Sequence, residues 1–258
     1  MTRNPIRTDP GIFTAMRPIT VLFYAALGGG LLPVVAALPA QEAPSPSPPP
    51  EDADAPSSED PAALSPRNAD YRIEVRLDPE ARSLDGRQVL TWTNITEVPA
   101  DELRFHLYWN GWRNSRSTWM REERLAGDLD DDVREEDWGW IDVERIRLPG
   151  AAGGDDGTDL TSAARFATPD DDNEHDRTVL AVPLPAPVAP GETIEVEMDW
   201  RARVPRTFAR TGTRGDYFFI AHWFPKLGVF EGEEGWNCHQ YHANTEYYSD
   251  YGVYTVDI

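Results

Sequence analysis

The chain has 258 residues, with 24 Lys and Arg against 45 Asp and Glu and a formal net charge of −21. That balance argues against nucleic acid and anionic lipid as partners, because both are held by basic side chains neutralising phosphates. A single cysteine, Cys238, excludes an intramolecular disulfide framework, so stability must come from packing.

At the N-terminus Arg3, Arg7 and Arg17 precede an uncharged apolar stretch over residues 19–38, followed by Pro39-Ala40-Gln41. The pattern predicts a secretory signal peptide cut after Ala40, with an uncleaved membrane anchor as the alternative. Gly28-Gly29-Gly30 and Pro33 weaken a spanning helix. Residues 1–40 are therefore assigned to a signal or anchor. The product is expected to be exported, periplasmic or extracellular, and to touch a membrane only if this segment is retained. Residues 41–68 are Pro, Ser, Ala and acid, with the run Pro44-Ser45-Pro46-Ser47-Pro48-Pro49-Pro50. Such a segment buries too little apolar surface to offset its ordering entropy, and a disordered linker is predicted.

Residues 69–258 are the right size for one domain with its own core. Their periodicity is that of strands. Tyr71-Arg72-Ile73-Glu74-Val75-Arg76-Leu77 alternates apolar with charged until Asp78-Pro79-Glu80 breaks it. Leu84-Asp85-Gly86-Arg87-Gln88 reads as a turn into a strand over residues 89–93, and residues 103–109 form a third strand with apolar odd positions. Residues 109–125 look helical or irregular. Further strands are predicted over residues 140–148, 178–182, 193–203 and 217–221, with Pro183, Pro185, Pro187 and Pro190-Gly191 as punctuation. There is no βαβ alternation. The fold class expected is all-β, an antiparallel β-sandwich.

The acidic tracts at residues 128–132, 150–157 and 169–173 lack the spacing of a calcium loop and read as solvated loops. Asn94-Ile95-Thr96 fits a glycosylation sequon. Ser115 and Ser117 have no glycine-flanked elbow, and no neighbour fixes Cys238 as a nucleophile. Residues 216–258 carry twelve aromatic side chains and three histidines. On a helix, His239, His242 and Glu246 would share one face and could ligate a metal, although Gln240 stands where H-E-x-x-H has its glutamate. A packed aromatic layer is the alternative. Tyr254, Val256 and Ile258 alternate as one buried face of a last strand, whose open apolar end suggests the front part of something longer.

The segments Tyr71-Arg72-Ile73-Glu74-Val75-Arg76-Leu77-Asp78-Pro79, Leu84-Asp85-Gly86, Trp92-Thr93-Asn94 and Leu103-Arg104-Phe105-His106-Leu107-Tyr108-Trp109-Asn110 resemble the opening of the M1 family of zinc metallopeptidases, the aminopeptidase N type. So do Val188-Ala189-Pro190-Gly191-Glu192-Thr193, Trp200, residues 208–212, His222-Trp223-Phe224-Pro225-Lys226, Gly235-Trp236-Asn237 and Glu246-Tyr247-Tyr248. The resemblance covers residues 69–258. It implies the saddle-like N-terminal β-domain of such a peptidase, truncated before the catalytic domain that would be its partner.

In that family the catalytic domain carries G-x-M-E-N and the H-E-x-x-H zinc helix. Neither motif occurs in this sequence, so no catalytic residue, zinc ligand or cofactor is assigned to it. Zinc is expected only in the missing domain, and the chain alone is expected to be inactive. The family places a glutamine near the position of His222, where it meets the N-terminus of a peptide substrate. His222 and Trp223 are accordingly expected to wall the substrate pocket. A secreted β-sandwich binding module acting alone, and a metal site at His239, His242 and Glu246, are the other readings.

Overall fold

The computed structural model describes residues 20–24, 65–129, 133–150 and 157–258. In chain order the strands are β1 (Thr20–Tyr24), β2 (Ala69–Asp78), β3 (Ser83–Thr93), β4 (Ala100–His106), β5 (Trp140–Leu148), β6 (Thr158–Asp159), β7 (Arg165–Ala167) and β8 (Val179–Val188). They continue as β9 (Thr193–Arg203), β10 (Thr207–Phe208), β11 (Thr211–Arg214), β12 (Tyr217–Ala221), β13 (Lys226–Leu227), β14 (Val229–Phe230), β15 (Trp236–Asn237) and β16 (Tyr254–Asp257). Among the described residues an α-helix, α1 (Thr118–Ala126), and two 3-10 turns, Tyr108–Trp112 and Glu135–Asp137, lie between β4 and β5. Residues 41–64 of the expected linker and most of the N-terminal apolar stretch fall outside the described residues. Asn68, at the linker's end, is instead ordered by the fold: it is buried and its amide donates to the Asp250 carboxylate at 2.9 Å. Among the described residues no helix is long and apolar enough to cross a membrane.

A six-stranded sheet runs β16-β2-β3-β9-β5-β6, and a four-stranded sheet runs β13-β4-β8-β7. A second four-stranded sheet, β1-β12-β11-β10, and the ribbon β14-β15 complete the fold. Pairing is antiparallel except for β16 on β2 and β1 on β12. Side chains from the sheets and from α1 meet in one core, so the architecture is the all-β, sandwich-like one expected.

Alternation drives the large sheet. Tyr71, Ile73 and Val75 of β2 point inward while Arg72, Glu74 and Arg76 face water. Opposite them, β3 buries Leu84, Gln88, Leu90 and Trp92. Gly86 belongs to the same inward series and lies in register with Trp200 of β9. A Cβ there would stand 2.1 Å from Cζ2 of Trp200, so the glycine makes room for the indole. The expected turn at residues 84–88 is thus strand. The true turn spans residues 79–82, where the Asp78 carboxylate accepts from the backbone N–H of Glu80 and Ala81 and Arg82 has φ 54°.

Two further expectations change. β8 continues through Pro183, Pro185 and Pro187 to Val188, because these residues fall where the register against β4 shifts and ladder donors are not required. The last strand is not open on both sides: β16 pairs with β2, and Tyr254 stacks on Tyr71 at 5.1 Å. Its expected buried face forms only at Tyr254, with Val256 and Ile258 exposed at the sheet edge.

The sequon is also overruled. Asn94 is buried, and its amide donates to the carbonyls of Val98 and Val188, which leaves no accessible nitrogen for a glycan.

Candidate functional site

The residues singled out at the C-terminal end converge on the 3-10 turn after β4. β12 ends at Ala221, whose carbonyl accepts from the Trp109 indole N–H at 2.8 Å. The next residue, His222, has φ 53°, a left-handed conformation uncommon for a side chain of its size. That turn separates the two predicted site residues. Trp223 goes into the core at 3% exposure, against Trp200 and Phe224. His222 instead joins a layer of tyrosines, stacked on Tyr247 with ring centroids 3.4 Å apart and edge-on to Tyr108 at 5.3 Å. Gln88 braces the turn from the large sheet by donating to the Pro225 carbonyl at 2.8 Å.

His106, the last residue of β4, stacks on the other part of this layer, 4.6 Å from Tyr108. Lys226 of β13 lies directly opposite His106 in the antiparallel pair, so both side chains project from the same face. His106, His222 and Lys226 are 5%, 6% and 8% exposed. Both ring nitrogens of His106 are buried without a hydrogen-bond partner. Burial, reinforced by Lys226 and His239, lowers the His106 imidazole to about 3. Burial, then Lys226, Arg210 and His106, does the same to His222, also to about 3. Burial alone lowers the Lys226 ammonium to about 8.

Around this group the hydroxyls of Tyr241 and Tyr247 share a hydrogen bond of 2.9 Å. The Arg210 guanidinium lies 5.8 Å over the Tyr247 ring and holds both oxygens of Glu246 at 2.9 Å. A cavity of about 280 Å³ opens beside the layer, lined by His106, Tyr108, Tyr241, Tyr248, His239 and Glu246 among others.

The helical metal face does not form. The segment after β15 is irregular, and its groups are committed elsewhere. His239 Nδ1 lies 2.6 Å from the Asp170 carboxylate, and His242 bridges Glu122 at 2.7 Å and Asp170 at 3.3 Å. Glu246 points to Arg210. Among the described residues no group of three or more His, Cys, Asp or Glu could hold a metal ion. The residues present do not fit zinc. What they form is a latch. With carboxylates at both nitrogens, His242 has its imidazolium held above the ordinary range, the bonds outweighing the opposing effect of burial. The Cys238 thiol, buried, is pushed far up and is no nucleophile.

No protein-family model and no curated protein matches the chain. Among solved structures, an M1 zinc metallopeptidase from Deinococcus radiodurans is 16% identical, covering 69% of this chain and 31% of its own, with a TM-score of 0.31. A mutant of that enzyme bound to a Tyr-Ser-Ala substrate is 15% identical, with coverages of 68% and 29% and a TM-score of 0.32. A family 3a carbohydrate-binding module from a Clostridium thermocellum cellulosome scaffolding protein is 13% identical, with coverages of 53% and 75% and a TM-score of 0.24. The chain spans less than a third of the length of these metallopeptidases.

Several residues that shape the site escaped the sequence reading. Asp170 and Asp171 lie in a tract read as a solvated loop. Asp170 accepts from the Gln240 backbone N–H, and Asp171 from the Gln240 amide and the Thr118 hydroxyl. Asp176, buried, accepts from the backbone N–H groups of Thr118 and Thr178 and so fixes the start of α1. The signal available was His106 and Lys226, each a polar residue directly beside a buried apolar one within a strand.

Proposed function

We propose that the chain is the N-terminal, non-catalytic β-domain of an exported M1-type zinc metallopeptidase of the aminopeptidase kind. In this reading it caps the cleft of a zinc-bearing catalytic domain and helps to orient the N-terminus of a peptide substrate. The carrying observation is the ordered series of segments, from Tyr71-Arg72-Ile73 through His222-Trp223-Phe224-Pro225-Lys226 to Glu246-Tyr247-Tyr248, running the length of the folded part. His222 supports it further. A strained backbone and a neutral imidazole among tyrosines suit a residue that accepts a hydrogen bond from a substrate amine. Trp223 serves this function by anchoring the turn rather than by touching substrate.

The test is to determine the transcript and the intact mass of the native product and to assay it on aminoacyl anilides. The expected product carries G-x-M-E-N and H-E-x-x-H or co-purifies with a subunit that does. In that enzyme His222→Ala raises KM by about tenfold with little change in kcat. A native product of this length, free of any zinc-bearing partner, would overturn the reading. The cavity beside His106 would then favour a second one, a secreted β-sandwich binding module acting alone.

A further inference from the structure

We propose that the cavity at the C-terminal end of α1 binds a small organic ammonium ion, its charge met by Glu123 and Asp128 and its apolar body held by the wall of Trp119, Phe208, Tyr241 and Tyr247. The inference stands apart from the peptidase reading and rests on what borders that cavity. All six residues line one space of about 290 Å³, near the lower end of the range that small-molecule sites occupy.

The acids decide the charge. Among the described residues neither Glu123 nor Asp128 enters an ion pair or a side-chain hydrogen bond, whereas the adjacent Glu122 is committed to His242 and to the Ala243 N–H. Glu123 lies in the last part of α1 and Asp128 just past its Gly127 cap, where the helix dipole already places partial negative charge and a basic side chain is the favourable choice. Arg124, the basic residue of that turn, donates to the Ser115 carbonyl instead. Burial, Asp128 and Glu122 hold the Glu123 carboxyl above its ordinary range, an effect that a bound cation would reverse.

The wall supplies the remainder. Trp119 meets Phe208 edge-on with ring centroids 6.0 Å apart, and Tyr241 stacks with Tyr247 at 5.6 Å, a continuous aromatic surface for an apolar body. The Trp119 side chain is 6% exposed, yet its indole N–H has no hydrogen-bond partner among the described residues, and the cavity is the space it borders. Arg210 also lines the cavity, but its guanidinium is answered by both oxygens of Glu246 at 2.9 Å. An anion therefore gains little there, and the two unanswered charges are negative.

Calorimetric titration of the full chain at neutral pH and physiological salt with phenethylammonium tests this, with phenethyl alcohol and hydrocinnamate as the uncharged and anionic controls. Phenethylammonium is expected to bind saturably and about tenfold or more tighter than either control, since charge-assisted hydrogen bonds are at stake. Glu123→Gln and Asp128→Asn, each checked for folding by circular dichroism, should weaken it several-fold singly and together abolish its advantage over the alcohol. Glu74→Gln, on the solvent face of β2, should leave the affinity unchanged and so separates the site from the general attraction of an acidic chain for cations. In nitrogen-15 spectra of the wild type the Trp119 indole signal should move with phenethylammonium. Equal binding of the three compounds would overturn the proposal, as would no binding of phenethylammonium, an undiminished affinity in the double variant, an equal loss in Glu74→Gln or a stationary Trp119 signal.

Discussion

The interior of the six-stranded sheet and the tyrosine layer beneath His222 are both buried, yet one is packed with neutral side chains and the other with ionisable ones. In the sheet, Trp92 and Trp200 fill space left by small or alternating neighbours, and the one buried amide, Gln88, donates to a carbonyl. In the layer, His106 stacks on Tyr108 with both ring nitrogens unpartnered, and His222 is held at positive φ against the Tyr247 ring. Packing fills the first region, although the indole N–H groups of Trp92 and Trp200 and the side-chain oxygen of Gln88 have no partner there. In the second the buried groups are ionisable, and burial lowers the His106 and His222 imidazoles and the Lys226 ammonium.

The comparison breaks most visibly if the sheet is cut. Trp200→Ala should cost about 3–5 kcal/mol in chemical denaturation, because the indole has no substitute over Gly86. A loss below about 1 kcal/mol would mean that the site collapses around the hole.

Next in size is acid. His106 and His222 have folded values near 3 against about 6.5 unfolded, so between those values the unfolded chain binds more protons. Stability conferred by keeping them neutral is therefore present above pH 6.5 and lost as pH falls toward 3. Denaturation midpoints across this window should drop steeply in the wild type and less steeply in His106→Phe, which preserves the stack on Tyr108.

Lys226 gives the reverse of the usual mutational sign. Lys226→Met should stabilise the chain at neutral pH by about 1–3 kcal/mol, since it deletes a desolvated charge and keeps the volume. Its folded value near 8 lies below its ordinary 10.5, so the unfolded state binds more protons between them. Wild-type stability should consequently rise relative to Lys226→Met from pH 8 upward.

The smallest effect is at the latch. Glu122→Gln should lower the His242 midpoint in an NMR titration while changing global stability by less than about 1 kcal/mol. His242 is raised in the folded state, so its contribution is present below its unfolded value and fades as pH climbs through the folded one.

Much of the large sheet was legible because alternation and burial coincide: residues 140–148, 193–203 and 217–221 are strands with the bounds read from their pattern. Gly86 misled because a glycine between polar residues looks like a turn until the facing Trp200 is known. The prolines of β8 misled for the related reason that a register shift is a property of two strands together. At the site, the separation of His222 from Trp223 was not legible, since one positive φ sends neighbouring side chains to different layers. Asp170 and Glu122 were invisible because their partners lie far away in sequence.

The most direct test of the claim that this layer buries its imidazoles is a nitrogen-15 titration of the histidine rings in the full chain. His106 and His222 are expected to stay neutral through about pH 5 and to take up protons only near 3, if the fold survives that far. Midpoints near the ordinary value of about 6.5 for both rings would show them solvated or paired, and the account of the layer as a buried one would fail.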